Sequence, residues 1–432
     1  VIEKTLGSGV SVMNQLIPRM EKITGPKPPA GKLPGDELLI RFETVIIDFL
    51  RIFSKMGISV IVVLDDLHWT DPASAKLITT VLGQEDLSHL LLIGTYRDGA
   101  DQQGRNWGET LRRLQGYGDR ILNVRLQALP AEKMAEWLAD TFQCHPRMTR
   151  ELALQLQQHT GGNPFFLTEM LRMLFDGHQI RYDAEAGQWI WDMHDVTAMD
   201  QAYSNVADLL QARLRNVPAE SLRLIQHAAC AGNIFDLPAV SKLLGCQSGE
   251  AASAAEHLLR LGLIVPAGRD AYRFAHDRVR QVSYTMLPEK ERARIHVRLG
   301  KMLLEDEKVS LASSDRLFEI VNHLNRGKDI LEEEDRKQLI RLNLMAGHRA
   351  RENTAFDHAD LFYREGVELL PKDSWKTDYH LTFELKLGRL ECAYLIGNDA
   401  ESQQLFHELD QFAGSLEDRT QAYLTKIWLD VR

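Results

Sequence analysis

The stretch SVIVVLDDLHWTDPAS constrains the fold more than any other part of the chain. Ser59–Leu64 is a short, β-branched apolar run of the kind that forms a buried parallel strand. Two adjacent carboxylates, Asp65 and Asp66, follow it directly. Asp71 then provides an N-cap, and Pro72 a first helical position, for the next helix. This order of strand, acidic turn and helix is typical of an α/β layer fold.

The surrounding sequence continues the alternation of helices and strands. Residues 17–37 are rich in proline and glycine, which predicts a loop. Apolar residues then recur at three- and four-residue steps from Glu37 to Met56, which predicts a helix. SHLLLIGTYRD predicts a second buried strand that ends near Thr95–Arg97, and RILNVRLQAL predicts a third. Residues 1–128 are therefore interpreted as an α/β domain.

The rest of the chain is mainly helical. Residues 129–200 predict a small helical lid with a turn at Gly161–Pro164, followed by a β-hairpin near Gly187. Residues 201–287 show three or four helices and a hairpin, in the order of a winged helix. From 288 to 432 helices recur with a period of roughly 40 residues, which predicts an α-solenoid close to tetratricopeptide repeats.

Composition limits the classes of function. The 432 residues carry a formal charge of −10, which argues against a general nucleic-acid binder. Four scattered cysteines form no CxxC pair, which favours a reduced, cytoplasmic protein with neither a zinc site nor disulfides. No apolar run approaches the length of a membrane span, which is about 18 residues or more. The start on Val1 and an uncapped C-terminal helix pattern suggest a piece of a longer protein.

The paired aspartates have a direct chemical use. In open α/β sheets, ligands bind beyond the carboxyl ends of the strands. There Asp65 could hold Mg²⁺, which often binds through one or two carboxylates and the phosphates of a nucleotide. Asp66 could orient or deprotonate an attacking water. The alternative is that the pair only ends a strand and caps a turn.

Arg97 stands at the end of the second predicted strand. An arginine in this place can reach a γ-phosphate, and arginines in that role contribute on the order of 10³–10⁵ in rate. The alternative is a surface ion pair with Asp66 or Asp98, worth about 0–1 kcal/mol.

These segments together resemble a known family. VVLDDLHWTDPAS with IGTYRD is similar to the Walker B and sensor segments of the signal-transduction ATPases with numerous domains (STAND), a branch of the AAA+ class. TGGNPFFLTEML resembles the Gly-x-Pro lid motif of that branch, and YRFAHDRVRQVSYTMLPEK resembles its winged-helix end. The whole chain looks like the ATPase-plus-solenoid region of large multidomain sensor kinases, truncated at its N-terminus.

The resemblance implies roles for five residues and a pair of cofactors, ATP and Mg²⁺. Asp65 would be the metal ligand, and Asp66 the water-orienting acid of a slow ATPase. Arg97 would be the sensor of the γ-phosphate. Pro164 would contact adenine. His276 would take the place of the histidine that contacts the ADP β-phosphate in related switches, although Ala275 stands where that motif has Met.

The phosphate-binding half of such a site is missing from the sequence. The nearest approach to G-x-x-x-x-G-K-[ST] is GPKPPAGKL, at Gly25–Leu33, which has the wrong spacing and a leucine at its end. Its three prolines also remove backbone N–H groups that would hold phosphate. A Walker A loop is therefore expected upstream of Val1, with either a gap or a non-native closure in the sheet between Leu90–Gly94 and Ile121–Leu126.

Three functions compete on this reading. The first is a nucleotide-dependent regulatory switch in a signal-transduction kinase, in which the helical repeats bind a protein partner or other domains of the same protein. The second is a non-catalytic interaction scaffold. The third is a STAND-type transcription regulator. Residues 201–290 hold ten Lys and Arg against eight Asp and Glu, which is not the charge footprint of a DNA reader.

Overall fold

The fold consists mainly of helices, with three small sheets among the residues described. The computed structural model describes residues 2–27, 35–67, 70, 72–97, 110–112, 114, 116–194, 196, 206–306, 316–353 and 355–430. The chain divides into two compact units. The first comprises residues 1–124 and 340–432, and the second comprises residues 125–339. None of the helices in the described ranges is both long and apolar enough to cross a bilayer.

The N-terminal part of the first unit combines helices with a pair of strands. Its elements are α1 (Ile2–Leu6), α2 (Val10–Leu16), α3 (Glu21–Thr24), α4 (Gly35–Lys55), β1 (Val60–Leu64), α5 (Pro72–Leu82) and β2 (Leu90–Gly94). The predicted loop at 17–37 is wrong in part. Residues 18–20 form a 3₁₀ turn and residues 21–24 form α3, because Val10, Met13 and Met20 pack together with Val45 of α4.

Strands β1 and β2 form a parallel pair, as the sequence predicts, with Leu64 opposite Gly94 at their carboxyl ends. One face of the pair is covered, since Leu64 and Leu92 pack with Ile78 of α5. The expectation of full burial is wrong for the other face. Ile61 is 63% exposed there, and Val63, Leu91 and Ile93 are exposed as well, because no described element covers this face.

The prediction of a third strand within residues 120–129 is also wrong. Residues 121–130 form neither a helix nor a strand, and they pair with no strand of the described chain. Leu122 is 87% exposed and Leu126 is 92% exposed. The apolar alternation is real, but an extended segment becomes a strand only when a neighbour accepts its backbone hydrogen bonds. The gap expected beside β2 stays a prediction.

The second unit begins with the predicted helical segment. Its elements up to residue 191 are α6 (Ala131–Phe142), α7 (Pro146–Thr160), α8 (Pro164–Asp176), β3 (Ile180–Asp183) and β4 (Gln188–Trp191). The hairpin prediction is confirmed, and Gly187 adopts φ +64 just before β4. Trp189 and Trp191 rest on the Phe142 ring, with centroids 5.5 and 5.3 Å away. This contact fixes the hairpin to the end of α6.

A three-stranded antiparallel sheet and its helices complete the second unit. Its elements are α9 (Val206–Arg215), α10 (Ala219–Ala231), β5 (Ile234–Asp236), α11 (Leu237–Leu244), α12 (Ser248–Arg260), β6 (Ile264–Pro266), β7 (Ala271–Phe274), α13 (Asp277–Thr285), α14 (Glu289–Asp306) and α15 (Leu317–Asn325). The strand order is β5-β7-β6. The hairpin predicted within residues 261–277 is therefore confirmed as β6-β7. Winged helix remains a prediction for this arrangement.

Helices continue to the end of the described chain. They are α16 (Glu333–Glu352), which spans the boundary between the units, α17 (Phe356–Leu369), α18 (Ser374–Thr377), α19 (Tyr379–Leu395), α20 (Asp399–Phe412) and α21 (Leu416–Asp430). The fully buried Tyr363 of α17 lies between two helical glycines. A Cβ built on Gly347 would come within 2.4 Å of its ring, and one on Gly388 within 2.6 Å. Close helix approach in the repeats thus depends on both glycines.

The packing around Tyr363 gives a stability prediction. We expect Gly388→Ala to lower the free energy of unfolding by about 1–3 kcal/mol, because the new methyl group overlaps a buried ring with no room to move. Thermal or urea unfolding measures the change. Gly249→Ala is the matched control, since a Cβ at that helical position meets nothing within 4 Å. A Gly388→Ala protein as stable as this control would contradict the packing argument.

Candidate functional site

The predicted acidic turn lies at the carboxyl ends of the two parallel strands. Asp65 and Asp66 follow β1, while Thr95 and Arg97 follow β2. Because the strands are parallel and Leu64 pairs with Gly94, all four residues stand at one edge of the sheet. This is the edge at which ligands bind in open α/β sheets.

Thr95 fixes the acidic turn, and sequence reasoning did not find it. Its hydroxyl donates a short hydrogen bond to Oδ1 of Asp65 and accepts one from the Asp66 backbone N–H at 2.9 Å. The Thr95 backbone also bonds Leu64 O at 3.0 Å and Leu67 N at 2.7 Å. Thr95 is the first residue after β2 and faces the first residue after β1. This position could be recognised only once the register of the two strands was known.

The turn itself has an unusual backbone. Asp66 has φ +56, in the left-handed region that aspartate enters more readily than most residues. Leu67 then folds back over β2, and a Cβ at Gly94 would lie 2.4 Å from its Cδ1. A glycine at the end of β2 therefore lets the turn close onto the strand. The turn directs the two carboxylates to different partners. Asp65 accepts a hydrogen bond from Thr95, and Asp66 contacts Arg97.

Arg97 contacts the acidic turn directly. Its Nε lies 3.9 Å from Oδ1 of Asp66, and the two side chains are 51% and 37% exposed. An ion pair this long and this exposed contributes about 0–1 kcal/mol. A phosphate or a cation entering the edge of the sheet could therefore displace it at little cost.

Pro164, the last residue of the predicted Gly161–Pro164 turn, occupies the first position of α8. Asn163 caps the helix, its Oδ1 accepting from the Phe165 N–H at 3.0 Å. Gly162 before it has φ +72, and a Cβ there would come within 2.4 Å of Leu129 O. The Gly-Gly-Asn-Pro turn is therefore built for close backbone contact and for starting a helix.

His276 is the N-cap of α13, where its Nδ1 accepts from the Arg278 N–H at 3.1 Å. Its ring stacks on Phe165, with the centroids 3.7 Å apart and the planes 15° from parallel. The structure thus brings His276 to the residue that follows Pro164. This contact joins two helix N-termini, and sequence reasoning did not predict it.

The five predicted site residues fall in different units of the chain. Asp65, Asp66 and Arg97 belong to the first unit, while Pro164 and His276 belong to the second. The predicted N-cap Asp71 and the neighbouring His68 and Trp69 lie outside the described residues.

The donor set at the acidic turn fits one metal better than others. No group of three or more His, Cys, Asp and Glu side chains in the described residues could hold an ion by itself. Hydrogen bonding to Thr95 engages Oδ1 of Asp65 and leaves Oδ2 as a candidate ligand. Mg²⁺ suits this sparse set of oxygens, because it keeps several waters and usually shares its shell with substrate phosphates.

Comparisons with known proteins find similarity to a curated protein and to a solved structure, each over only part of its own length. No family model matches the chain. A hybrid signal transduction histidine kinase, kinase G of Dictyostelium discoideum, is 21% identical over 95% of this chain but only 15% of its own length. Among solved structures, a signal transduction ATPase with numerous domains and a tetratricopeptide repeat sensor, from Pyrococcus horikoshii, matches with a TM-score of 0.47 and 13% identity. That match covers 99% of this chain and 59% of the archaeal one. The chain therefore spans a small part of the kinase and about three fifths of the ATPase.

Proposed function

We propose that this chain is part of a nucleotide-dependent regulatory switch in a signalling protein, which binds ATP with Mg²⁺ and hydrolyses it slowly. The observation that carries the proposal is the edge of the parallel sheet, where Thr95 holds Asp65 and Arg97 contacts Asp66. The similarity to a signal transduction histidine kinase supports the signalling context.

The geometry at this edge supports a separate role for each residue. Bound Mg²⁺-ATP supplies a γ-phosphoryl group whose charge the metal partly neutralises. Asp65, oriented by Thr95, holds the metal directly or through water. Asp66 accepts a hydrogen bond from the attacking water and orients it. Arg97 leaves its weak contact with Asp66 for the γ-phosphate, so its position differs between the ATP and ADP states.

For the second unit, we propose the roles that the resemblance implies for Pro164 and His276. Pro164 packs on the adenine, and the His276 imidazole turns toward the phosphates of the bound diphosphate. The stack of Phe165 on His276 supports a joint role, because movement of one helix start displaces the other. A change of nucleotide is then relayed from α8 to α13.

A phosphate cradle is the part of such a site for which the present sequence offers no motif. No G-x-x-x-x-G-K-[ST] motif occurs in the chain. Ile61 and Val63 are exposed on one face of β1 and β2. Parallel sheets are normally covered on both faces, so we expect a further layer of structure over these side chains.

The helical repeats carry the output of the proposed switch. Helices α17, α19 and α20 stack through buried aromatic and aliphatic side chains, and stacked hairpins of this kind form extended binding surfaces. We assign this part to contacts with a protein partner or with other domains of the same protein. The same observation favours the second candidate function, an interaction scaffold without turnover.

Two matched substitutions separate the switch from the scaffold. In the full-length protein, we expect Asp66→Asn to lower ATP hydrolysis about 10²–10⁴-fold with little effect on ATP affinity, since it removes only the water-orienting carboxylate. Asp65→Asn should instead weaken Mg²⁺-ATP binding by about 10–100-fold. Equal turnover and binding in both variants and the wild type would leave the scaffold as the function.

A further inference from the structure

A polar cleft lies in the second unit, away from the residues discussed above. Its volume is about 490 Å³, and it opens between α10, α11 and the first turns of α14. Its lining is His227, Leu243, Pro288, Lys290, Glu291, Arg294, Ile295 and Arg298. Leu243 and Ile295 are buried and form an apolar floor, and the walls are charged. The volume falls within the range of small-molecule sites, about 300–1,000 Å³.

Helix α14 supplies a row of cations to this cleft. Lys290, Arg294 and Arg298 recur every four residues, so they share one face of the helix. None of the three forms an ion pair with another described residue, whereas Lys301 on the same helix pairs with Asp335 at 2.6 Å. Exposed cations alone usually mean a solvated helix face. Here three of them surround a concavity with an apolar floor and face one carboxylate, Glu291.

His227 stands on the α10 side of the cleft. Its Nδ1 lies 2.8 Å from Arg223 O, which places the proton on Nδ1 and leaves Nε2 as the second polar atom of the ring. Burial lowers the pKa of His227, and the hydrogen bond to Arg223 O partly opposes this effect. The positive charges of Arg223 and Arg298 lower the pKa and the charge of Glu291 raises it, so the ring lies within the field of the cleft's charged groups. An anion bound there would raise its pKa.

We propose that this cleft binds a small organic anion carrying two or more phosphate or carboxylate charges. Arg294 and Arg298 donate to the charged groups, and Lys290 adds a third positive charge at the start of the helix. The apolar part of the ligand rests on Leu243 and Ile295. Because the cleft contains neither Asp65 nor Asp66, it is independent of the proposed nucleotide site.

The position of the cleft suggests how binding of an anion could affect the protein. The cleft joins α10 and α11, which flank the three-stranded sheet, to α14, which leads into the helical repeats. A ligand held by all three helices would fix their angle. The cleft is thus a candidate input site, at which a small anion stabilises the packing of α14 against α10 and α11.

The test is calorimetry with two simple probes, inorganic pyrophosphate and citrate, at low ionic strength. We expect the wild-type protein to bind at least one of them, and the ratio of the two affinities tells phosphate from carboxylate preference. Arg294→Gln and Arg298→Gln should each weaken binding by about tenfold, the value of one charge-assisted hydrogen bond. Arg260→Gln, at a 72%-exposed position of the same unit, is the matched control and should bind like the wild type.

A second readout does not depend on affinity. With ¹³C-labelled histidine, NMR titration should show a higher pKa of His227 when the probe is bound than when it is absent. Repeating the calorimetry with Asp65→Asn distinguishes binding in the cleft from binding at the nucleotide site. The affinity of the Asp65→Asn protein for the probe should equal that of the wild type. The proposal is overturned if neither anion binds, if Arg294→Gln and Arg298→Gln bind as Arg260→Gln does, or if only duplex DNA binds through these arginines.

Discussion

Replacing Glu169 by alanine is expected to remove about 3–5 kcal/mol from the free energy of unfolding of the second unit. Glu169 is 3% exposed, and Arg213, also buried, donates to it from α9 in a short hydrogen bond. A second short bond joins Arg213 to Leu261 O, just beyond α12. Without the carboxylate the guanidinium stays buried with only part of its partners, which is why the loss is large.

The neighbouring Arg172 provides the control for this prediction. It also contacts Glu169, at 3.0 Å, but its side chain is 44% exposed. We expect Arg172→Ala to cost less than about 1 kcal/mol. The double change Glu169→Leu and Arg213→Met should recover most of the stability lost in Glu169→Ala, because it removes both charges together. Urea unfolding compares the four proteins, and similar stabilities of Glu169→Ala and Arg172→Ala would refute the argument.

This buried pair also has a place in the proposed switch. Glu169 lies in the helix that begins at Pro164, and Arg213 connects that helix to α9 and to the end of α12. The stack of Phe165 on His276 makes a second connection, between the start of α8 and the start of α13. The two contacts together set how the start of α8 faces the start of α13.

Acidification is expected to destabilise the joint between α14 and α15. His296 and His323 are buried, with their Nδ1 atoms 3.0 Å apart, and Tyr284 Oη lies 3.1 Å from Nε2 of His296. Burial lowers the pKa of His296 to about 3, helped by His323, Arg326, Arg292 and Arg280. Burial and Arg326 lower the pKa of His323 to about 4.

The sign of the pH effect follows from these shifts. Both pKa values lie below the ordinary value of 6.5, so the unfolded chain takes up protons first as the pH falls. The stability supplied by the neutral pair is complete above about pH 6.5 and decreases toward the folded-state values. Between pH 7 and pH 5 we expect a loss on the order of 3 kcal/mol in the free energy of unfolding.

Two substitutions check that this histidine pair is the cause. His323→Gln keeps a hydrogen-bonding side chain but removes one titrating group, so the slope of stability against pH should fall by about one proton. Tyr284→Phe removes the hydroxyl and keeps both histidines, so the slope should persist. A slope that His323→Gln leaves unchanged would assign the acid sensitivity to other groups.

Local patterns in the sequence were enough for much of the fold. The strand at Val60–Leu64, the helix start at Pro72 and the hairpin around Gly187 depend on residues close together in the chain, and all are present. The prediction of a third strand was wrong because a strand forms only beside a pairing partner, and the periodicity of apolar residues does not show whether such a partner is present. Its apolar alternation at Leu122 and Leu126 is exposed instead.

The candidate site was predictable only in part for a related reason. Asp65, Asp66 and Arg97 could be inferred because strand ends are visible in the sequence. Thr95 could not, since its role depends on the register that sets it beside Asp65. Contacts between residues far apart in sequence, such as that of Phe165 with His276, follow from tertiary packing and leave no local signal.

The most direct test of the central claim is the affinity for ATP with and without Mg²⁺. We would measure it on the full-length protein and on Asp65→Asn, with the metal present or removed by a chelator. The account predicts that removing Mg²⁺ weakens binding to the wild type by about 10–100-fold and leaves the weaker binding to Asp65→Asn almost unchanged. Full Mg²⁺ dependence in Asp65→Asn would contradict the role of this carboxylate and the nucleotide site built on it.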